Sequence, residues 1–395
     1  MPPSNLAQDL FQAYFDARKN KRNTHDQLAF EVDCEHNLFE LLKELKERTY
    51  EISKSICFIV FSPVQREIFA GNFRDRIVHH LVFNYINPFF ERIFIHDSYS
   101  CRMGKGTLCG IKRIDHFIRS CSRNYTKDCY ILKLDIKGYF MAIDQNILYA
   151  KIEKTLLKFS AEINFDFEFI QWLLKKIIFH NPIKNCYVKG KESDWDGLPE
   201  SKSLFCAEAQ KGLPIGNLTS QLFGNIYLND LDHFIKQKLH CRYYGRYVDD
   251  FVIVYERKEY LASIIPLIRK YLSKNLQLEL HPLKIYLQHY SKGVSFLGSV
   301  IKPHRIYVRN RTKGNFYQKI QKWNDAFKAK NYKFSPGEWR QFLAMVNSYL
   351  GTLKHFRTYK LRKKMLLSDL SAYFWNFVYI SNNYGKLTMK RQDLS

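Results

Sequence analysis

The sequence predicts an α+β fold with an antiparallel sheet and packed helices. Three observations predict it. A strongly apolar, β-prone run, Tyr130-Ile131-Leu132-Lys133-Leu134-Asp135-Ile136, stands alone between helical stretches. Two further β-prone arms, Arg246-Tyr247-Val248 and Phe251-Val252-Ile253-Val254-Tyr255, flank an Asp-Asp pair and read as a hairpin. The order strand, helix, hairpin, strand lacks the regular βαβ alternation of a doubly wound sheet.

Taken along the chain, residues 1–70 read as helix followed by a short strand at Ile56–Phe61, stopped by Ser62-Pro63. Residues 74–93 carry Ile77, Leu81, Tyr85 and Phe89 at helical spacing, with Pro88 limiting the end. A glycine-containing loop, 98–106, leads into a helix at 107–120 and then the 130–136 strand. Residues 151–205 are a mixed excursion. Helical signals return at 219–239, where apolar residues at 222, 223, 226, 227, 231 and 234 give one buried face. The hairpin falls at 241–256, further strands at 276–308, and a basic helical region runs from 313 to the end.

The chain has 395 residues, 46% of them hydrophobic, which suggests two or three packed subdomains and excludes a disordered chain. Lys and Arg number 62 against 38 Asp and Glu, a net charge of +24. So large a surplus implies a polyanionic partner, because basic side chains near phosphates release condensed counterions. Charge alone also fits an acidic protein or a membrane surface. No run of 18 apolar residues predicts a membrane span, and MPPSNLAQDL does not read as a secretory signal. Nine cysteines show no CxxC and no zinc spacing, which suggests reduced thiols in a cytoplasm. Some of the 26 Tyr and 31 Phe are expected to stack on bases or ribose; ordinary core packing accounts for others.

The carboxylates carry the chemistry. Adjacent Asp residues in a flat strand would face opposite sides of the sheet, whereas at a hairpin tip Asp249 and Asp250 can both face solvent and hold a divalent cation. An isolated Asp-Asp is also compatible with an ordinary acidic turn. Asp135 ends an apolar strand, where a charge is costly unless paired or metal-bound. Three carboxylates on neighbouring strands match the two-metal arrangement for in-line phosphoryl transfer.

The boxes around these residues resemble reverse transcriptases. Tyr247-Val248-Asp249-Asp250 is similar to the YxDD box. LKLDIKGYF (132–140), GLPIGNLTSQLFGNIYLNDLDHF (212–234), LHPLKIYL (280–287) and GVSFLGSVI (293–301) resemble motifs A, B, D and E in order. RDRIVHH (74–80) and SYSCRMGKGT (98–107) resemble the first two blocks, so the match covers roughly 60–310. It implies a right-hand polymerase: residues 1–72 as N-terminal extension and start of the fingers, 73–130 as fingers, 131–150 and 206–308 as palm around an insertion at 151–205, and 309–395 as a basic helical thumb. Within motif B, Ile215-Gly216-Asn217-Leu218-Thr219-Ser220-Gln221 has the form IGxxxSQ of reverse transcriptases of diversity-generating retroelements. That resemblance implies copying of a template-repeat RNA into cDNA with errors at template adenines, in a bacterial or phage-encoded cytoplasmic enzyme working with a small basic accessory protein. A phage-defence or retron-like reverse transcriptase is the alternative, and a non-catalytic RNA-binding scaffold a third reading.

The resemblance also implies roles. Asp135, Asp249 and the Ile136 carbonyl would hold two Mg²⁺ (or Mn²⁺), with Asp250 in support. Phe140 stands at the steric-gate position that selects dNTPs. Lys284 matches the motif-D lysine that protonates pyrophosphate. Arg102 and Lys105 are placed to hold the triphosphate, with Arg74 and Arg76 as competitors. Gly216 allows close backbone approach to the base pair, Asn217 or Thr219 caps the following helix, and Gln221 falls on its first turn. Ile215 replaces a polar Gln of more accurate relatives and is expected to lower fidelity. Residues 306–395 carry 18 Lys/Arg against 4 Asp/Glu. Lys354, Arg357, Lys360, Arg362 and Lys363 there are expected to meet the RNA/cDNA duplex, next to a buried face of Val346, Leu350 and Leu353. Nothing like an HNH motif follows, so no appended endonuclease is expected.

Overall fold

The computed structural model describes residues 5–19, 24–61 and 64–390. Its fold is α+β. The chain divides into two compact units: one runs up to Gly110 and resumes over Leu132–Leu287, the other comprises Ile111–Ile131 and the chain from Gln288 onward.

The first unit opens with three helices, α1 (Leu6–Arg18), α2 (His25–Val32) and α3 (Cys34–Lys46). Asn5 caps α1 by accepting from the Ala7 amide at 3.0 Å. Strand β1 (Ser55–Val60) pairs antiparallel with β2 (Arg66–Ala70). Ser62-Pro63, the expected strand stop, lies outside the described residues. Helix α4 (Phe73–Ile93) follows, capped by Asn72. Pro88 does not end it: the helix runs on to Ile93. Proline removes one helical hydrogen bond, but Phe89 and Phe90 beside it are buried, and their packing outweighs that loss. Tyr85 and Asn84 of α4 bond to Asp9 and Asp16 of α1, so the N-terminal helices are tied to it.

Helix α5 (Thr107–Cys121) leads into β3 (Tyr130–Asp135), then a single-turn helix α6 (Tyr139–Ala142) and α7 (Gln145–Lys158). The stretch expected to be mixed contains α8 (Phe167–Ile178), buried along one face, and a short strand β4 (Cys186–Val188) that joins β1 in parallel. Helix α9 (Leu218–His233) is buried on nearly every side and continues into a π-helical turn at Phe234–Lys238. The hairpin β5 (Tyr243–Tyr247) and β6 (Asp250–Tyr255) follows. Helix α10 (Lys258–Leu276), absent from the expected elements although Leu261, Ile264, Ile268 and Leu272 stand at helical spacing, leads to β7 (Tyr286–His289). These strands form one four-stranded sheet in the order β5-β6-β3-β7.

In the second unit, β8 (Val294–Phe296), β9 (Ser299–Lys302) and β10 (Arg305–Val308) make an antiparallel meander. Three helices follow, α11 (Asn310–Ala329), α12 (Pro336–Leu353) and α13 (Tyr359–Leu367). Ser335 and Glu338 form a reciprocal capping box at the start of α12. The helical expectation fails near the end: β11 (Val378–Ser381) and β12 (Lys386–Met389) form a hairpin. Asn347 of α12 holds it by bonding both ways to the Leu387 backbone, at 2.8 and 2.7 Å. That long-range partner leaves no local trace in the sequence.

Candidate active site

Strand β3 alternates so that Leu132 and Leu134 are buried while Lys133 and Asp135 are only partly covered. In the sheet β6 lies next to β3, which brings the β5–β6 turn alongside Asp135. Tyr247 pairs with Asp250, so the loop consists of Val248 and Asp249, and Asp250 is the first residue of β6. Val248 has φ +56°, a left-handed value unfavourable for a β-branched residue at a position where glycine is usual.

That strain is held from behind. The Arg246 guanidinium, fully buried, donates to the Val248 carbonyl at 2.9 Å and to both oxygens of Asp232 at 2.8 and 2.7 Å. The Tyr244 hydroxyl donates to Asp232 as well, at 2.5 Å. Burial opposes the Arg246 charge, but Asp232 outweighs it and keeps the group above the ordinary arginine range. The Arg246 carbonyl also accepts from the Tyr99 amide, and its amide donates to Asp97. Nothing in the hydrophobic pattern isolates Arg246. The one available signal is a charge in an otherwise apolar strand, which demands a buried partner.

The carboxylates are more recessed than a solvent-facing tip would be. Burial, joined by repulsion from Asp135, pushes the Asp249 carboxyl up to about 6. Asp250 is likewise pushed up to about 6 by burial, against the pull of Lys133. Lys133 Nζ lies 2.9 Å from Asp250, and Lys284 Nζ lies 2.9 Å from Asp135. The His281 amide donates to the Asp135 carbonyl at 2.8 Å, which seats the Lys284 loop beside the strand. The neighbouring Lys137 amide donates to Glu279, leaving the Ile136 carbonyl outside this pair of bonds.

Among the described residues, no three His, Cys, Asp or Glu side chains are gathered tightly enough to hold a metal ion as they stand. Two of the three carboxylates are turned onto lysines instead. The donor set nevertheless fits a hard cation. It is all oxygen, its charge is desolvated, and Asp250 Oδ1 is buried without a hydrogen-bond partner. Asp135, Asp249 and Asp250 would hold the ion, with the lysine amines standing where its positive charge would act.

Phe140 and Ile215 pack on one cluster with Phe69, Met141 and Leu204. A Cβ on Gly224 of α9 would lie 3.3 Å from the Phe140 ring, so the ring rests on that helix. Glu67 braces the cluster: buried on β2, it accepts from Trp195 Nε1, Ser203 Oγ and the Leu204 amide at 2.6–2.8 Å. Thus the 191–207 segment is latched onto the sheet of β1 and β2.

Several expected roles change. Gly216 has φ +139°, and a Cβ there would meet the Phe69 carbonyl at 2.5 Å. The close approach that requires glycine is therefore to β2, whose Phe69 amide donates to Ile215. Asn217 stands at the N-cap of α9 without a capping side-chain bond and instead accepts from the Gly71 amide. Thr219 bonds His79 at 2.7 Å. Both tie α9 to α4 and the preceding turn rather than capping. Gln221 is exposed on the first turn.

Arg102 is occupied structurally. It pairs with Glu91, donates to the Ile95 and Ser98 carbonyls, and its side chain is 6% exposed. Every guanidinium nitrogen is engaged and one Nη2 N–H at most is left over, so its role in this structure is to brace the loop. Arg74 pairs with Glu44 and stacks over Tyr50, and Arg76 faces Asp26. Lys105, half-buried in the same loop, remains as the cation of that group.

In the second unit, Lys354, Arg357, Lys360 and Lys363 are exposed. Arg362 is not: it is buried and donates to the Asn383 carbonyl at 2.9 Å, fastening the terminal hairpin. Val346, Leu350 and Leu353 are buried as the helical face requires.

Comparison with known proteins adds the following. A family model described as "Reverse transcriptase (RNA-dependent DNA polymerase)" matches residues 65–301. Protein YkfC of Escherichia coli (strain K12) is 24% identical over 276 residues, covering 61% of this chain and 62% of that protein. The chain thus spans about three fifths of the length of the curated relative it matches. Among solved structures, apo telomerase from Candida tropicalis, truncated from its C-terminal domain, is similar with a TM-score of 0.47 and 14% identity over 65% of this chain and 55% of that one. Telomerase from Candida albicans with a TWJ fragment of telomeric RNA gives a TM-score of 0.44 and 11% identity over 82% and 64%.

Proposed function

The chain belongs to the reverse transcriptase (RNA-dependent DNA polymerase) family, and from that premise we propose that it copies an RNA template into cDNA at Asp135, Asp249 and Asp250. The observation that carries this reading is the adjacency of β3 and β6, which sets a strand-end aspartate beside a strained Asp-Asp turn. Two Mg²⁺ ions, or Mn²⁺, supply Lewis acidity for the primer 3′-hydroxyl and the departing pyrophosphate. The chain's own groups do the rest. Asp135, Asp249, Asp250 and the Ile136 carbonyl would hold the cations. The Lys284 amine, 2.9 Å from Asp135, would give a proton to the leaving pyrophosphate. Phe140 presses on the sugar and excludes a 2′-hydroxyl, while Lys105 holds phosphate oxygens. Gln221 and Gly216 lie along the nucleotide side, and Lys354, Arg357, Lys360 and Lys363 hold the RNA/cDNA backbone.

The test is primer extension on RNA with dNTPs or rNTPs. Incorporation of dNTPs alone is expected, with rNTPs admitted by Phe140→Ala. A Phe140→Ala enzyme as selective as the parent removes the gate from the account.

The finer reading is mutagenic copying in a diversity-generating retroelement, with a small basic accessory protein as partner. The Ile215–Gln221 box supports it, as does the apolar setting of Ile215 beside Phe140. An apolar contact offers no hydrogen-bond reading of the nascent pair. Ile215→Gln is expected to lower errors at template adenines. Sequenced products with an unchanged adenine error rate sink this reading.

A further inference from the structure

Wholly within the second unit, the chain forms an open pocket that shares only Arg357 with the roles above. Its volume is about 410 Å³, and Arg119, Asn124, Tyr125, His304 and Arg357 line it. A smaller adjoining space shares Arg119, His304 and Arg357 and adds Arg305 and His355. Three guanidinium groups and two imidazoles therefore face the two spaces, and no carboxylate among the described residues lines either one. Asp115 balances part of the charge, lying 3.0 Å from Arg119 one helical turn back on α5.

The backbone around the pocket is strained at the turn that ends α5. Arg123, Asn124 and Tyr125 are left-handed in succession, with φ of 49°, 56° and 71°, and His304 opposite has φ 62°. Asn tolerates that region, whereas runs of such residues are costly. The run is nevertheless pinned: Ser122 Oγ accepts from the Tyr125 amide at 2.9 Å, and the Tyr290 hydroxyl donates to the Tyr125 carbonyl at 3.1 Å. The Tyr125 and His304 rings meet edge-on at 4.5 Å. The Tyr125 hydroxyl is buried beside the Arg119 guanidinium, which supplies a donor to its oxygen, and its own proton has no acceptor among the described residues. Strain of this kind, gathered on residues that line one pocket, marks a place held open for a ligand. Cations and an unspent hydroxyl donor define that ligand as an anion rich in acceptor oxygens.

We propose that this pocket is a phosphate site that grips the backbone of an RNA strand at a point that shares only Arg357 with the cations assigned to the RNA/cDNA duplex. Its size suits a phosphodiester with its adjoining sugar, and its forked guanidinium donors match phosphate oxygens. The site rests on RNA being a partner of the chain, but its binding does not depend on incorporation.

The experiment uses the full chain and a fluorescein-labelled single-stranded RNA 20-mer, followed by anisotropy from low to moderate salt. The variant is His304→Ala with Arg305→Gln; both residues are exposed, so folding should be spared, and thermal unfolding checks this. Lys333→Gln, an exposed cation elsewhere in the unit, is the control. Affinity is expected to fall about tenfold in the double variant, with the salt slope reduced by about 0.7 for the lost arginine. Lys333→Gln should change affinity less than about twofold. Extension rate at saturating primer–template should be unchanged in the double variant, which separates this site from the polymerase reading. Unchanged affinity, or an equal loss in the control, overturns the proposal. Inorganic phosphate is titrated in parallel: competition with the RNA in the parent, absent in the double variant, supports a phosphate site. If phosphate binds there while RNA affinity is the same in parent and variant, the ligand is a small anion and the RNA assignment fails.

Discussion

The turn that carries Asp249 and Asp250 and the interior of the second unit solve opposite problems. Behind the turn, a fully buried arginine, an aspartate and a tyrosine make directional bonds that fix one strained backbone. The second unit is instead filled with rings: Phe327, Trp339, Phe342 and Phe374 pack on one another at centroid distances of 4.3–5.9 Å. Its cations lie outside, exposed along α13 and the turn before it. A group of carboxylates must hold its geometry closely, and hydrogen bonds supply direction at the cost of desolvation. A surface that only has to present charge needs a stable body beneath it, which non-directional apolar packing provides. The difference teaches that in this chain precision is bought with polar burial and support with aromatic burial.

Breaking the polar frame should have the largest effect. Arg246→Met leaves Asp232 buried without its partner and releases the Val248 carbonyl. The expected loss is about 3–5 kcal/mol in denaturant unfolding. Incorporation should fall as well, because the turn is no longer held. The double variant Arg246→Met with Asp232→Leu should recover stability but not activity, which separates the pair's structural role from its positioning role. Recovery of both would mean that the pair does not position the turn.

The aromatic interior should answer differently. Phe342→Ala opens a cavity in the ring cluster and should cost about 3 kcal/mol. Because the cluster lies within the second unit, the loss should appear in hydrogen exchange of α11 and α12, while protection around β3 and β6 stays at the parent level. Equal loss of protection in both units would show that the chain unfolds as one body and would blur the comparison.

A smaller, pH-dependent effect sharpens the polar side. Burial, with His80, His180 and Arg76 adding, pushes the His79 imidazole down to about 3 from its ordinary 6.5. The unfolded chain therefore takes up a proton between these pH values that the folded chain refuses. Stability should fall as pH drops through that window. In His79→Gln the stability–pH curve should be flatter there, measured by unfolding at constant salt. An unchanged slope assigns the acid sensitivity to other groups.

Much of the sheet was legible because its strands are apolar, short and bounded by turns. The β5–β6 hairpin and β3 fall where their patterns put them, and the helical face of Leu350 lies inward. Helix α10 was legible too, in Leu261, Ile264, Ile268 and Leu272 at helical spacing, although the sequence expectation passed over it, whereas the β11–β12 hairpin was not, because Asn347 and Arg362 secure it from afar. At the site, residue type revealed which side chains carry charge but not where each charge is spent. Arg102 is matched to Glu91 and Arg74 to Glu44, and each partner is set by tertiary packing that spacing does not encode. The same blindness hid Arg246, Lys133 and Glu67. Each is an ordinary polar residue until the fold gives it a buried or acidic partner.

The claim that Asp135, Asp249 and Asp250 form a polymerase centre is tested most directly by Mg²⁺-dependent dNTP incorporation on a primed RNA template, comparing the parent chain with Asp249→Ala. The account predicts extension by the parent and a fall of about a thousandfold or more in the variant, with unfolding stability preserved. Extension by a well-folded Asp249→Ala at a rate close to the parent's would contradict it.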